Sequence, residues 1–238
     1  MVAPSDLRPS TQEIQALFDR IAPVYDELNQ TLSLGFHRVW KRMAVLWSGA
    51  EAGDCCVDVC CGSGDLALML AQQVGVKGQV YGVDFSAQQL AIAQQRSESA
   101  RLSKIVAWKQ ADALDLPFEA AKFDAVTMGY GLRNLTDIPQ GLAELRRVLK
   151  PNGTAAILDF HRPSNPLMQQ FQQWYLDQVV VPAAERYGLP DEYAYIAPSV
   201  DRFPTGQKQV ALALEAGFSQ AVHYPIAGGM MGVLVAAH

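Results

Sequence analysis

The chain has 238 residues, 50% of them hydrophobic, and a formal net charge of −5, so it suits one decorated domain over residues 1–238 and gives no general attraction to a polyanion. A nucleic-acid partner is therefore excluded unless a local patch supplies the contact, and the clusters Arg38/Lys41/Arg42 and Arg146/Arg147/Lys150 read as solvated helix faces. No apolar run reaches about 18 residues and the polar N-terminal stretch lacks a signal-peptide core, so neither a spanning helix nor export is expected, and a cytoplasmic protein is.

Ser10-x-x-Glu13 has capping-box spacing, and Ile14, Leu17, Phe18 and Ile21 follow at helical intervals. With a second helix predicted from Phe36 to Trp47, residues 1–50 form a helical cap. The run Val57-Asp58-Val59-Cys60-Cys61-Gly62-Ser63-Gly64-Asp65, continued by Leu66-Ala67-Leu68-Met69-Leu70, reads as buried strand, tight turn and helix. All four cysteines, Cys55, Cys56, Cys60 and Cys61, flank this strand. They lack Cys-x-x-Cys spacing and alternate between faces, so they read as small buried hydrophobes, and no metal site is expected.

Val80 to Asp84 reads as a second strand, Ser86-x-x-Gln89 caps a helix to about Ser99, and Ile105 to Trp108 and Phe123 to Met128 read as further strands. A helix from about Ile138 buries Leu142, Leu145 and Leu149, Lys150-Pro151-Asn152-Gly153 ends it with turn chemistry, and Ala155 to Leu158 forms the fifth strand. The alternation then breaks in an insertion, 162–206. It carries a helix from Leu167 to about Val181 and an aromatic-rich loop with Tyr187, Tyr193, Tyr195 and Phe203. Strands near Ala221 to Ile226 and Gly232 to Ala236, joined by Ala227-Gly228-Gly229, close the chain. The pattern predicts an α/β fold: a doubly wound, seven-stranded, mostly parallel sheet with a C-terminal β-hairpin.

The glycine turn and the acid at Asp84, about 20 residues further on, are the arrangement that holds a nucleotide: backbone N–H groups at a helix start and a carboxylate for a ribose diol. Gly62-x-Gly64-x-x-Ala67 is a permitted dinucleotide fingerprint, and S-adenosylmethionine, which has a ribose and adenine but no phosphate, fits the same geometry. A purely structural glycine turn is the bland alternative. Four features favour S-adenosylmethionine: Asp112 in Ala111-Asp112-Ala113, suited to an adenine amine; the open backbone of Gly129-Tyr130-Gly131; the closing hairpin; and the size.

Tyr25-Asp26-Glu27-Leu28-Asn29, Leu32-Ser33, His37-Arg38-Val39-Trp40, Gly131-Leu132-Arg133-Asn134 and Arg147-Val148-Leu149-Lys150-Pro151 together resemble the quinone-biosynthesis C-methyltransferases, from about Phe18 to His238. The Cys-Cys-Gly-Ser-Gly turn, Asp159-Phe160-His161-Arg162-Pro163 and Gly228-Gly229-Met230-Met231-Gly232 are similar to the cyanobacterial branch, which methylates demethylphylloquinone. The resemblance implies a class I S-adenosylmethionine-dependent methyltransferase acting on a prenylated naphthoquinol, with a demethylmenaquinol, a polyprenyl benzoquinol or a non-catalytic role in a quinone-assembly complex as alternatives. It departs from the wider family at Leu28, Asn152 and Asp159, usually Met, Gly and Glu. Ser63 replaces a common Thr, and Gly129 a Ser that often touches the cofactor.

The expected cofactor-binding residues are Asp58, Gly62, Ser63, Gly64, Asp84, Phe85, Asp112, Ala113 and Gly129. Asp58 reads equally as an ordering residue of the loop. The ring must be the electron-rich quinol, whose phenolic proton is lost, so Arg133 is expected to stabilise negative oxygen or orient a water, with loop pinning the competing role. His37 and His161 are candidate proton acceptors, although a structural histidine is commoner than a catalytic one. Tyr25 and Asp26 are placed to close over the donor, or to pack the N-terminal helix. Leu167, Phe171, Trp174, Tyr175, Val179 and Val180 form a stripe that reads as core, as a groove for a lipid tail, or as a peripheral membrane contact.

Overall fold

The computed structural model describes residues 10–22, 30–33, 35–189 and 193–238. Its strands are β1 (Cys55–Val59), β2 (Gln79–Asp84), β3 (Val106–Gln110), β4 (Phe123–Gly129), β5 (Leu149–Phe160), β6 (Gln220–Ile226) and β7 (Met231–Ala237). They form one seven-stranded sheet in the order β3-β2-β1-β4-β5-β7-β6. All neighbours are parallel except β7, which runs antiparallel to β5 and β6. The predicted sheet and closing hairpin are therefore present. The strand order reverses between β1 and β4, and the crevice beyond their carboxyl ends is where such folds hold ligands.

Alternation along the strands builds two apolar layers. Val57, Val59, Val126, Met128 and Ile157 face one layer with α5 (Ile138–Val148) and α9 (Gly206–Glu215). Cys56, Ala125, Ala156 and Leu158 face the other, packed with α2 (Phe36–Trp47) and α3 (Asp65–Val74). The N-terminal helix α1 (Thr11–Ile21) begins at the predicted capping box: the Ser10 backbone N–H donates to Glu13 Oε2 at 2.7 Å, and the Glu13 N–H to Ser10 Oγ at 3.3 Å. Ser86 caps α4 (Ala87–Ser99) and also donates its hydroxyl to Asp19, which ties α1 to the end of β2.

Four expectations need correction. Lys150 to Gly153 does not separate helix from strand. It lies within β5 as an irregularity, since Phe123 pairs with Leu149 but Ala125 with Thr154, and Asn152 takes the left-handed φ of +67°. The inserted helix α6 (Pro166–Tyr175) continues through a wide turn over Leu176–Val180 into α7 (Val181–Glu185), and the aromatic-rich segment contains α8 (Ile196–Arg202). Helix α9, capped by Thr205 just after Pro204, was not expected, because its Ala-Leu-Ala-Leu run is short. Finally, Lys41 is buried at 5% exposure instead of lying on a solvated face.

Candidate functional site

Two cavities meet at the carboxyl edge of the sheet. The first, about 750 Å³ and partly open to solvent, has a floor that includes Gly62, Asp84, Phe85, Asp112, Ala113 and Gly129. Ile14 and Phe18 of α1 cover it. The second, about 1060 Å³, is mostly apolar and lies between the α1–α2 region and α6, with His37, Trp40, Arg133, Phe160 and Tyr175 in its wall. Phe18 and Tyr130 line both, so the two spaces adjoin at those rings.

In the first cavity Asp84 is 6% exposed. Its Oδ2 accepts the Gly62 N–H at 2.8 Å and its Oδ1 the Ser86 N–H at 2.9 Å. Burial pushes its pKa up to about 6, while the N–H donors of Ser86, Gly62 and Phe85 oppose the rise. Each oxygen keeps a lone pair for a hydroxyl donor. Asp112 accepts the Leu114 N–H at 2.9 Å, which shapes its loop. Phe85 packs on Phe18 at 6.3 Å between ring centres, and its carbonyl accepts from Gln15 and Gln110. Two buried carbonyl oxygens, Gln89 Oε1 and Asn134 Oδ1, have no hydrogen-bond partner, and both residues line this cavity. An unpaired buried acceptor is costly, so the cavity suits a ligand that brings hydroxyl and amine donors.

Not every expected residue lines this space. Gly64 faces the protein: at φ +89° a Cβ there would stand 2.6 Å from the Trp108 ring, so the glycine serves close helix–sheet packing and not ligand approach. Asp58 is fully buried, accepting the Thr127 hydroxyl at 2.8 Å and the Ala67 N–H at 3.0 Å. Burial raises its pKa to about 7, and it ties β1, β4 and α3 together, the ordering role. Asp58 and Ser63 both border a smaller cavity, about 310 Å³, that shares Cys60, Gly62, Gly129 and Tyr130 with the first. The four thiols are free, and burial pushes Cys56 up to about 12. Among the described residues no cluster of three metal-ligating side chains occurs.

In the second cavity Arg133 Nη1 donates to Asp159 Oδ1 and to the Tyr130 carbonyl, both at 2.7 Å. Asp159 Oδ2 in turn accepts the Arg133 backbone N–H at 3.0 Å. The loop-pinning role is thus present, yet Arg133 Nε is buried without a partner and the residue lines the cavity. His37 lines it too, its Nδ1 2.7 Å from Ser33 Oγ. His161 does not. Its ring lies 4.5 Å from that of His223, beside β7, and burial lowers the pKa of both, His223 to about 4. Its neighbourhood follows from the antiparallel hairpin, which no local pattern around Asp159-Phe160-His161 discloses. Tyr25 and Asp26 lie outside the described residues.

Sequence reasoning passed over Tyr130, read only as open backbone between two glycines. It holds φ +61°, and a Cβ on Gly131 would stand 2.6 Å from Cys60 Cβ, so the tyrosine sits in a backbone loop that the neighbouring glycine makes room for. It also passed over Phe18, assigned to a helix face, and over Gln89, whose side chain is buried within the cap-to-sheet contact.

The chain matches the ubiE/COQ5 methyltransferase family over residues 7–238. It is 64% identical over 225 residues to the 2-phytyl-1,4-naphtoquinone methyltransferase of Trichormus variabilis, covering 94% of this chain and 98% of that one. The protein of the same name from Synechocystis is 58% identical, with 96% of each chain covered. The chloroplastic 2-phytyl-1,4-beta-naphthoquinone methyltransferase of Arabidopsis thaliana is 52% identical, with 95% of this chain and 87% of that one covered. Among solved structures, a SAM-dependent methyltransferase from Aquifex aeolicus superposes with a TM-score of 0.62 at 19% identity, covering 89% of this chain and 97% of that one. The [4+2]-cyclase SpnF superposes at 0.65 and 18%, covering 97% of each chain. A methyltransferase and a cyclase share this likeness, so at such identity it speaks for the fold alone.

Proposed function

The chain belongs to the ubiE/COQ5 methyltransferase family, and from that premise we propose that it transfers a methyl group from S-adenosylmethionine to a ring carbon of 2-phytyl-1,4-naphthoquinol, giving phylloquinol. The substrate rests on the names of the relatives from Trichormus, Synechocystis and Arabidopsis. The observation that carries the reading is the pair of adjoining cavities, one polar at its floor and one apolar and large, that meet at Phe18 and Tyr130.

The residues present fit the donor. Asp84 has lone pairs for a ribose diol, and Gln89 Oε1 and Asn134 Oδ1 are buried acceptors for its hydroxyl or amine protons. Bound there, S-adenosylmethionine supplies a methyl group already activated on a sulfonium. The protein's task is then placement, holding the acceptor carbon about 3–3.5 Å from that methyl and opposite the sulfur. Phe160, Trp40 and Tyr175 offer flat apolar walls for a ring and tail. Arg133 supplies a fixed positive charge for the oxygen of the deprotonated quinol, and Asp159 keeps that guanidinium in place. His37 is the imidazole in the same wall that takes the phenolic proton; once the methyl has left the sulfonium for the ring carbon, that carbon gives up its own hydrogen as a proton, which restores the aromatic ring, and the quinol oxygen is reprotonated, so that one proton is released overall.

The acceptor's tail belongs in a bilayer, and the rim of its cavity suits that source. Phe36 stacks on Trp40 at 6.3 Å, and Phe171 on Tyr175 at 6.1 Å, so each wall residue leans on an aromatic exposed one turn away. Leu167 and Trp174 on α6 and Val39 on α2 are exposed as well, as are Arg38 and Arg42 on α2. We place this rim on a membrane surface; no described helix is long and apolar enough to cross one. Sedimentation with anionic vesicles is expected to carry the protein down, and Phe171→Ser with Trp174→Ser to release it. The reaction itself is tested by supplying 2-phytyl-1,4-naphthoquinone with and without a reductant. Methylation is expected only when the ring is reduced, and equal rates on the oxidised quinone would contradict the quinol assignment.

A further inference from the structure

The helix that walls the acceptor cavity opposite α2 is not regular. Between α6 and α7 the Val181 N–H donates to the Leu176 carbonyl five residues back, a wide turn where an ordinary helix bonds four residues back. Ordinary helix turns once in 3.6 residues, so Val180, eight residues after Gln172, would stand about 80° off the line that Gln172 starts. The wide turn takes up that offset. Gln172, Leu176 and Val180 are all buried and all line the one cavity, and Ala184 follows them, fully buried. The segment is held on both sides of the turn. Ahead of it, Gln172 Nε2 donates to the His161 carbonyl at 3.0 Å and the Tyr175 hydroxyl to the Leu32 carbonyl; beyond it, Val180 and Ala184 pack in one apolar cluster with Ile21 and Tyr193.

The cavity differs from one end to the other. Among its described lining residues Arg133 is the one full charge, and its guanidinium lies 4.9 Å from the centre of the Phe160 ring, which in turn lies 5.7 Å from that of Tyr130. Leu176 and Val180 pack instead with Ile21, Leu17 and Leu32, in an apolar cluster separate from the two layers on the sheet. The oxygens of a quinol belong at Arg133, so the end at Leu176 and Val180 is left for a substituent of the ring. A space of about 1060 Å³ also lies at the upper limit of what a drug-sized ligand fills, and a two-ring quinol by itself would leave much of it empty. An apolar wall with nothing against it forfeits its dispersion contacts.

We propose that the wide turn selects the acceptor by its chain: it seats the branched isoprenoid unit next to the ring against Leu176 and Val180, while the remainder of the chain leaves past the rim at Phe171 and Phe36. The assignment rests on a prenylated quinol being the acceptor. Each buried CH₂ is worth roughly fourfold in affinity, so one isoprenoid unit seated there separates a prenylated ring from a bare one. A wide turn that only let α7 pack on the cap would be indifferent to what the ring carries.

A series of acceptors separates the two roles on the unaltered protein. Reduced 1,4-naphthoquinones bearing hydrogen, a prenyl group or the full phytyl chain at the position beside the methylated carbon are supplied in detergent micelles with S-adenosylmethionine. From hydrogen to prenyl kcat/KM is expected to rise on the order of tenfold or more, and from prenyl to phytyl by less. Equal values for hydrogen and prenyl would overturn the proposal. Leu176→Ala and Val180→Ala should each lower kcat/KM for the prenyl acceptor by roughly three- to tenfold and for the bare ring by less than about twofold. Equal losses on both acceptors, or on neither, would also overturn it. Deleting Gln178, exposed on the wide turn, lets the segment close into ordinary helix and should give the same selective loss; an unchanged ratio between the two acceptors would remove the turn from the selection. Should none of the three rings take up a methyl group, the prenylated-quinol reading itself fails, a result distinct from failure at the wide turn.

Discussion

The two halves of the site are built by different means. The donor side is made where parallel strands end: Asp84 closes β2, Gly129 closes β4, and Gly62 turns out of β1, so sheet register alone brings them together. The acceptor side is made by side chains from α1, α2, α6 and α8, which converge only through tertiary packing, as when Tyr175 donates its hydroxyl to the Leu32 carbonyl. A binding pocket framed by backbone tolerates change at few positions but fails sharply at those. A pocket walled by apolar side chains spreads its function over many contacts, except where a charge is buried.

That contrast predicts its own exceptions. Arg133 is the charged point on the acceptor side, and Arg133→Met should lower kcat by roughly a hundredfold or more while leaving donor affinity within about twofold. It should also cost about 3–5 kcal/mol of stability, because the buried Asp159 loses its partner. Adding Asp159→Asn should recover much of the melting temperature but not kcat; recovery of both would reduce Arg133 to a structural pin.

On the donor side, Asp84→Ala should weaken S-adenosylmethionine binding by roughly ten- to a hundredfold by calorimetry, since a charged acceptor shared by Gly62 and Ser86 is lost. Unchanged affinity would remove Asp84 from the ribose. Gly64→Ala, which places a Cβ against Trp108 at a left-handed φ, should cost roughly 1–3 kcal/mol in denaturant unfolding, and a neutral result would mean the turn can yield.

The raised pKa of Asp84, about 6, gives a pH signature. On the proposal that its ionised form accepts the diol, donor affinity should fall as pH drops through that value, by about tenfold at pH 5 relative to neutral, and Asp84→Asn should flatten the profile. For stability the sign is opposite. A carboxyl raised above its unfolded value contributes fully below that value, and the contribution is lost as pH rises through about 6. The smallest effect belongs to His161. With its ring against His223 and lining neither cavity, His161→Gln should change turnover less than twofold, and a large loss would support a catalytic role.

The same division governs what the sequence disclosed. Strand, turn and helix of the donor side are local patterns, so Gly62, Asp84 and Gly129 could be named from spacing, and the sheet of seven strands with its hairpin followed from alternating runs. Local spacing could not say which way Gly64 faces, because Trp108 reaches it from β3, two strands over in the sheet. On the acceptor side Arg133 was legible from its place just past the glycine-rich end of the fourth strand and His37 through resemblance, whereas the neighbourhood of His161 was not legible, because hairpin packing, not its own segment, sets it beside His223. Lys41 looked solvated beside Arg38 and Arg42. Its burial depends on Asp65 and Arg96, residues on two other helices.

The position of the transferred methyl tests the joined-cavity account most directly. After incubation with methyl-labelled S-adenosylmethionine and reduced 2-phytyl-1,4-naphthoquinone, the product's label should lie on the ring carbon beside the phytyl chain, with none on oxygen. Label on a quinol oxygen, or no transfer to the reduced ring at all, would contradict it.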